Sequence, residues 1–276
     1  MKWNGKTKIV YYKNELEDDF AKQTELNDIK IDGKYKYIHK NPFWNIASFI
    51  VYRIIATPIA FFYSKIKFGI KVRNKHVLKK VNTGYFVYGN HTQEVLDPFL
   101  PTLIHFPKKA HIIAHPNNVA MKFLGTYNKM MGALPVPGNI ESTKNFLAAI
   151  RKFVHKKQVI AIYPEAHVWP YCTKIRNFKS VSFKYPVELG MPVFAETTTY
   201  QKRDGKVKIV VYVDGPFYPN KTLTKKEAQE ELKDAVYEAM VRRSFNSNVD
   251  VVKYEPENEF KKEETENKDK KENIGE

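Results

Sequence analysis

Short apolar runs alternate with helical patterns along most of this chain. Residues 85–88, 111–114, 159–163, 192–196 and 208–214 are rich in β-branched and aromatic side chains and predict strands. Residues 90–103, 117–131, 142–155, 181–189 and 224–243 carry a helical spacing of apolar positions. The alternation predicts an α/β layer fold: a mixed, partly parallel central sheet flanked by helices. Ahead of it stand a polar extension, 1–41, without the apolar run of a secretory signal, and a strongly apolar segment, 42–66. The expected main domain is 67–252. The tail, 253–276, has almost no apolar groups to bury and is expected to be disordered.

The apolar segment is the strongest hydrophobic feature. It contains Phe49, Ile50, Val51, Ile54, Ile55, Ile59, Phe61 and Phe62, but Arg53 and Pro58 interrupt it, and its length is marginal for a span. Trp44 and Tyr63 lie near its ends, Lys40 precedes it, and Lys65, Lys67 and Lys71 follow. That arrangement fits a helix lying in a membrane interface with its cations on lipid phosphates. A core helix and a true span are the alternatives.

Charge strengthens the membrane reading. The 276 residues have 43% hydrophobic content and a net charge of +16. Because the tail holds 6 Lys against 9 acidic residues, the body carries +19. Such a body is drawn to polyanions, although a Lys-rich background composition accounts for part of the excess. Only 7 of the 46 basic residues are Arg, so diffuse attraction is favoured over bidentate forks. No zinc-finger, helix-turn-helix or RNA-binding aromatic motif is evident, so no nucleic-acid partner is expected. Cys172 is the sole cysteine, which excludes an intrachain disulfide and a Cys-based zinc site. His105, His111 and His115 lack a neighbouring carboxylate, so no metal is expected and they read as polar edge residues. A reducing compartment follows, and the expected place is the cytoplasmic face of the cell membrane, peripheral or monotopic.

Candidate chemistry concentrates where strands end. Gly89-Asn90-His91-Thr92-Gln93-Glu94-Val95-Leu96-Asp97 follows the first predicted strand of the domain, placing His91 at the carboxyl edge of the sheet, where open α/β sheets bind ligands. His91 reads as a base or as a polar turn residue. Asn90, with Gln93 three positions on, reads as a helix cap. The second group is Tyr163-Pro164-Glu165-Ala166-His167, followed by Trp169, Lys174, Arg176 and Lys179. A carboxylate can accept from substrate hydroxyls while the cations meet a phosphate. Trp169 and Tyr171 read as core, or as part of a wall against an acyl group.

In this order the two groups resemble the glycerolipid acyltransferase family that includes lysophosphatidic acid acyltransferases. Asn90-His91 with Asp97 is similar to its first block, Tyr163-Pro164-Glu165 to its third, and Met191-Pro192-Val193-Phe194-Ala195 to its fourth; Phe178-Lys179 matches a Phe-Lys that commonly follows the third. Three departures stand out. Five residues separate His91 from Asp97 instead of the family's four. The stretch from Met131 to Gly138, matching the second block, has no Arg. Ala166-His167-Val168 replaces Gly-Thr-Arg.

The resemblance implies an acyltransferase needing no cofactor. His91 would act as base with Asp97 orienting it; Glu94, three positions on, is the alternative partner. Asn90, Glu94, Glu165, His167, Lys174, Arg176 and Lys179 would bind substrate, with Lys144 a further source of charge. The implied partners are acyl-CoA or acyl carrier protein as donor, a lysophospholipid such as 1-acylglycerol 3-phosphate as acceptor, and a membrane surface. Cys172 has no nearby base and is not the expected nucleophile. The rival reading is a degenerate acyltransferase-fold protein that binds lipid without catalysis.

Overall fold

The computed structural model describes residues 5–21 and 29–257. Among these, the strands are β1 (Lys8–Tyr12), β2 (Lys71–Arg73), β3 (Tyr85–Gly89), β4 (Ala110–Ala114), β5 (Ala133–Pro135), β6 (Val159–Ile162), β7 (Val193–Arg203), β8 (Lys206–Phe217) and β9 (Val252–Pro256). Seven of them form one sheet in the order β2-β8-β7-β3-β6-β4-β5. All its neighbouring pairs are parallel except β7 with β8, which close a hairpin at Asp204-Gly205. The mixed, partly parallel α/β architecture read from the sequence is present, and its sheet is mostly parallel.

Strand alternation divides the core between the two faces of the sheet. Phe86 and Tyr88 of β3 pack with Phe146 and Ile150 of helix Ile140–His155 and with Leu232 and Val236 of helix Lys225–Ser244. Tyr85 and Val87 face the other way, onto Leu96, Leu100, Ile104 and Phe68. Chain order then creates a crevice: β6 and β7 flank β3 on opposite sides, so the carboxyl end of β3 is where successive crossovers part.

Helix Pro42–Phe68 covers one side of the domain and is long and apolar enough to cross a membrane by length and composition. Its inward positions are Ser48, Tyr52, Ala56, Ala60, Ser64 and Phe68, spaced by four. On a regular helix, positions four apart drift by about 40° per step, and the stripe would wander off the domain. Wide π turns at Ile50–Ala56 and Ser64–Phe68 take up that drift. The first has a local cause. Pro58 offers no N–H and crowds the carbonyl four residues before it, so the helix opens and the Thr57 amide bonds back to Tyr52. Outward, Phe43, Ile46, Phe49, Ile54, Ile59, Phe62 and Ile66 are all exposed.

Several expectations change. The predicted helix 90–103 is helical only over Leu100–Ile104, because the residues before it spend their amides on the site described below. The tail boundary at Lys253 moves: β9 pairs in parallel with β1, from Lys8 opposite Val252 to Tyr12 opposite Pro256, and Tyr254 is buried beside Trp169. The rest of the tail, 258–276, lies outside the described residues. His105 and His111 are interior instead of edge residues: His105 meets Glu196 at 2.7 Å and the Tyr85 hydroxyl at 3.0 Å, and His111 meets Gln158 at 2.9 Å.

Candidate active site

β3 ends at Gly89, where a Cβ would come within 2.8 Å of the Tyr163 ring, so this close approach requires glycine. Asn90 continues the pairing with side-chain atoms in place of backbone. Its Nδ2 donates to the Thr198 carbonyl at 3.1 Å, and its Oδ1 accepts from the Thr198 amide at 2.8 Å. Asn90 is therefore buried against β7; it caps no helix and presents nothing to a substrate.

The extra residue between His91 and Asp97 finds its explanation here. The chain has no regular structure through Gln93 and then turns, so that the Asp97 amide donates to the Gln93 carbonyl at 3.0 Å. That turn folds the carboxylate back onto three donors. Asp97 Oδ2 accepts from the Thr92 amide at 3.0 Å, the Gln93 amide at 2.9 Å and His91 Nδ1 at 2.7 Å. Asp97, and not Glu94, meets the ring; Glu94 is exposed. The Asp97 side chain is 0% exposed and that of His91 19%. Burial raises the Asp97 carboxyl above its ordinary range, while the His91 ring and the two amides pull it back toward the charged form. With Nδ1 committed as the donor to that carboxylate, Nε2 is the ring nitrogen left to take a proton.

Two further groups hold the ring. Tyr163 stacks on it, with centroids 4.6 Å apart and planes at 21°, and its hydroxyl donates to the Asp97 main-chain carbonyl at 2.6 Å. Thr92 and Gln93 are anchored from beneath by the Tyr200 hydroxyl, which lies 2.9 Å from Thr92 Oγ1 and 2.6 Å from Gln93 Nε2. The sequence reading passed over both tyrosines as site residues. The available signal was a phenolic hydroxyl at the end of the predicted strand 159–163.

The second group lies under the first. Glu165 Oε2 accepts from the His91 amide at 3.0 Å, and its Oε1 from the Arg176 amide at 3.0 Å. The Arg176 guanidinium pairs with Glu165 at 3.0 Å, donates to the His167 carbonyl, and lies over the Trp169 ring at 4.7 Å. Both charged side chains are buried. Burial raises the Glu165 carboxyl, and Arg176 opposes that shift. This corrects the expected roles: Glu165 and Arg176 are spent on each other and on the backbone carrying His91, and neither reaches outward to a substrate. His167 is half-buried, with Nδ1 3.6 Å from Asp19. Lys174, Lys179 and Lys144 are exposed, and none of them is a hydrogen-bond or ion-pair partner of His91 among the described residues. Burial, followed by Glu165, pushes the Cys172 thiol up to about 12, which leaves it without nucleophilic character.

A buried carboxylate holding one face of a partly open imidazole, at the mouth of a parallel sheet, can draw a proton from a hydroxyl presented to Nε2. The model of the acyltransferase family matches residues 69–222, spanning β2 to β8 and including His91, Asp97, Tyr163, Glu165 and Arg176. No curated protein matches the chain. Among solved structures, the crystal structure of the 1-acyl-sn-glycerophosphate (LPA) acyltransferase PlsC from Thermotoga maritima is similar at 15% identity, with a TM-score of 0.46 over 73% of this chain and 96% of that one. On the family match, which covers more than half of its length, the chain belongs to the acyltransferase family.

Proposed function

We propose that this protein is a membrane-associated O-acyltransferase that moves a fatty acyl group from an acyl thioester to the hydroxyl of a lysophospholipid such as 1-acylglycerol 3-phosphate. The observation that carries the reading is the 2.7 Å contact between His91 Nδ1 and the buried Asp97 carboxylate. His91 Nε2 takes the proton of the acceptor hydroxyl as its oxygen attacks the thioester carbonyl. Collapse of the tetrahedral intermediate breaks the C–S bond, and the imidazolium returns its proton to the departing thiolate. Asp97 keeps the ring in the useful tautomer and stabilises its cation. No acyl-enzyme is required.

The exposed face of helix Pro42–Phe68 supports the membrane contact, with the body's positive charge facing anionic headgroups. Acyl-CoA or acyl carrier protein supplies the donor thioester, at the cytoplasmic face. The test is purified full-length protein with labelled long-chain acyl-CoA and a panel of lysolipids. His91→Ala should abolish ester formation and leave vesicle binding unchanged; transfer that survives the substitution overturns the mechanism.

A further inference from the structure

We infer that a cavity at the amino edge of the sheet is a second, non-catalytic anion site, taking a multiply charged phosphate group carried by a lipid headgroup or by a soluble phosphate ester. The lipid source rests on the membrane contact proposed above; the anion site does not. The cavity has a volume of about 560 Å³ and is lined by Lys36, Lys40, Lys109, Lys129, Lys152 and Lys156, with no carboxylate in its walls among the described residues. No ion pair of the described residues includes any of the six. Cations gathered this way repel one another until a counter-anion joins them. Their convergence registers on the neighbouring side chains. His39 is held below its usual range by burial and then by Lys129, Lys36 and Lys109. Lys109 is pushed down to about 8 by burial and by Arg53. A bound phosphate would relieve both.

The position separates this site from the reaction. Lys109 and Gln158 immediately precede β4 and β6, whereas His91 follows the far end of β3, roughly 15 Å away along the strands. A lipid carrier is favoured by the remaining wall. Trp44, Asn45 and Ser48 belong to the first turns of the apolar helix and line the cavity, with His39 stacked on Trp44 at 4.2 Å. The same turns expose Phe43, Ile46 and Phe49 outward. A phosphate seated among the lysines would leave attached acyl chains beside that apolar face, which is the chemistry of a basic headgroup pocket. A neighbouring depression along the helix adds Arg53, Lys108 and Lys157 and again has no acid in its wall among the described residues.

The test uses the full chain, vesicles of phosphatidylcholine with or without phosphatidate, and the variant Lys36→Gln/Lys129→Gln/Lys152→Gln. A charge-matched control removes exposed lysines elsewhere, Lys206→Gln/Lys225→Gln/Lys226→Gln. Phosphatidate should tighten wild-type binding about tenfold or more; the cavity variant should lose that gain and the control keep it. Lys40→Gln/Lys152→Gln/Lys156→Gln, all exposed, repeats the test if the first variant fails to fold. Inorganic phosphate followed by NMR without vesicles identifies the source: lysine shifts in wild type that vanish in the variant indicate a soluble ligand, and a response to phosphatidate vesicles alone indicates a headgroup. Equal losses in variant and control, or no phosphate ligand that distinguishes wild type from variant, overturns the inference. His91-dependent acyl transfer in detergent micelles should persist in the cavity variant. Phosphate binding without any such transfer would sink the proposed activity and leave this site standing.

Discussion

At the carboxyl edge of the sheet the charged groups are matched within a few residues: Asp97 holds His91, Glu165 holds Arg176, and backbone amides fill much of the remaining valence. At the amino edge six lysines share a cavity that has no acid among the described residues. The first arrangement spends its polar groups on fixing one ring in one tautomer. The second leaves its charge to be neutralised by something that arrives. Preorganisation in the one case and openness in the other predict different sensitivities, because breaking a matched buried set harms both stability and rate.

Removing the ring gives the largest effect. His91→Ala should lower kcat/KM by roughly 10³-fold or more in the acyl-transfer assay, and it should also lower the melting temperature, because Asp97 stays buried without its partner. Arg176→Met keeps the ring but leaves Glu165 buried without its cation. Denaturant unfolding should show a loss of about 3–5 kcal/mol, and activity should fall with it because Glu165 also holds the His91 amide. Asp97→Asn should cost roughly 10²- to 10³-fold in kcat through the wrong tautomer, whereas Glu94→Gln should change kcat less than about twofold. An equal effect of the two carboxylate substitutions would break the assignment of Asp97. Tyr163→Phe keeps the stacked ring and loses one hydrogen bond to the Asp97 carbonyl, about 1 kcal/mol by unfolding.

The smallest effect belongs to the open edge. The Lys109 ammonium, facing Arg53, His39 and His111, is present at pH 7 and lost as pH rises through about 8. The wild-type advantage over Lys109→Gln in phosphatidate binding should therefore shrink above that pH. An advantage constant up to pH 10 would remove Lys109 from the site.

Much of the fold was legible because strands buried on both faces write themselves as short continuous apolar runs, and 85–88, 159–163 and 192–196 are the adjacent trio that frames His91. Helix 90–103 was misread because an apolar spacing cannot show that Thr92 and Gln93 give their amides to Asp97. Arg176 lay in the sequence as one more cation near a strand end; only the fold brings it back beneath Glu165, where burial removes it from solvent. β9 was invisible for a related reason. Residues 252–256 contain two acidic or basic side chains and a proline, and they form a strand only because β1, some 240 positions earlier, offers an edge.

That distant pairing has a practical consequence. The two-stranded clasp of β1 and β9, with Tyr12 and Phe20, encloses Trp169, whose indole donates to the Asp18 carbonyl and whose amide donates to the His91 carbonyl. Both extremities of the described chain thus buttress the loop beneath the imidazole. Trimming at Ile9 or at Val251 to tidy the protein for expression would be an operation on the reactive centre, conducted from its periphery.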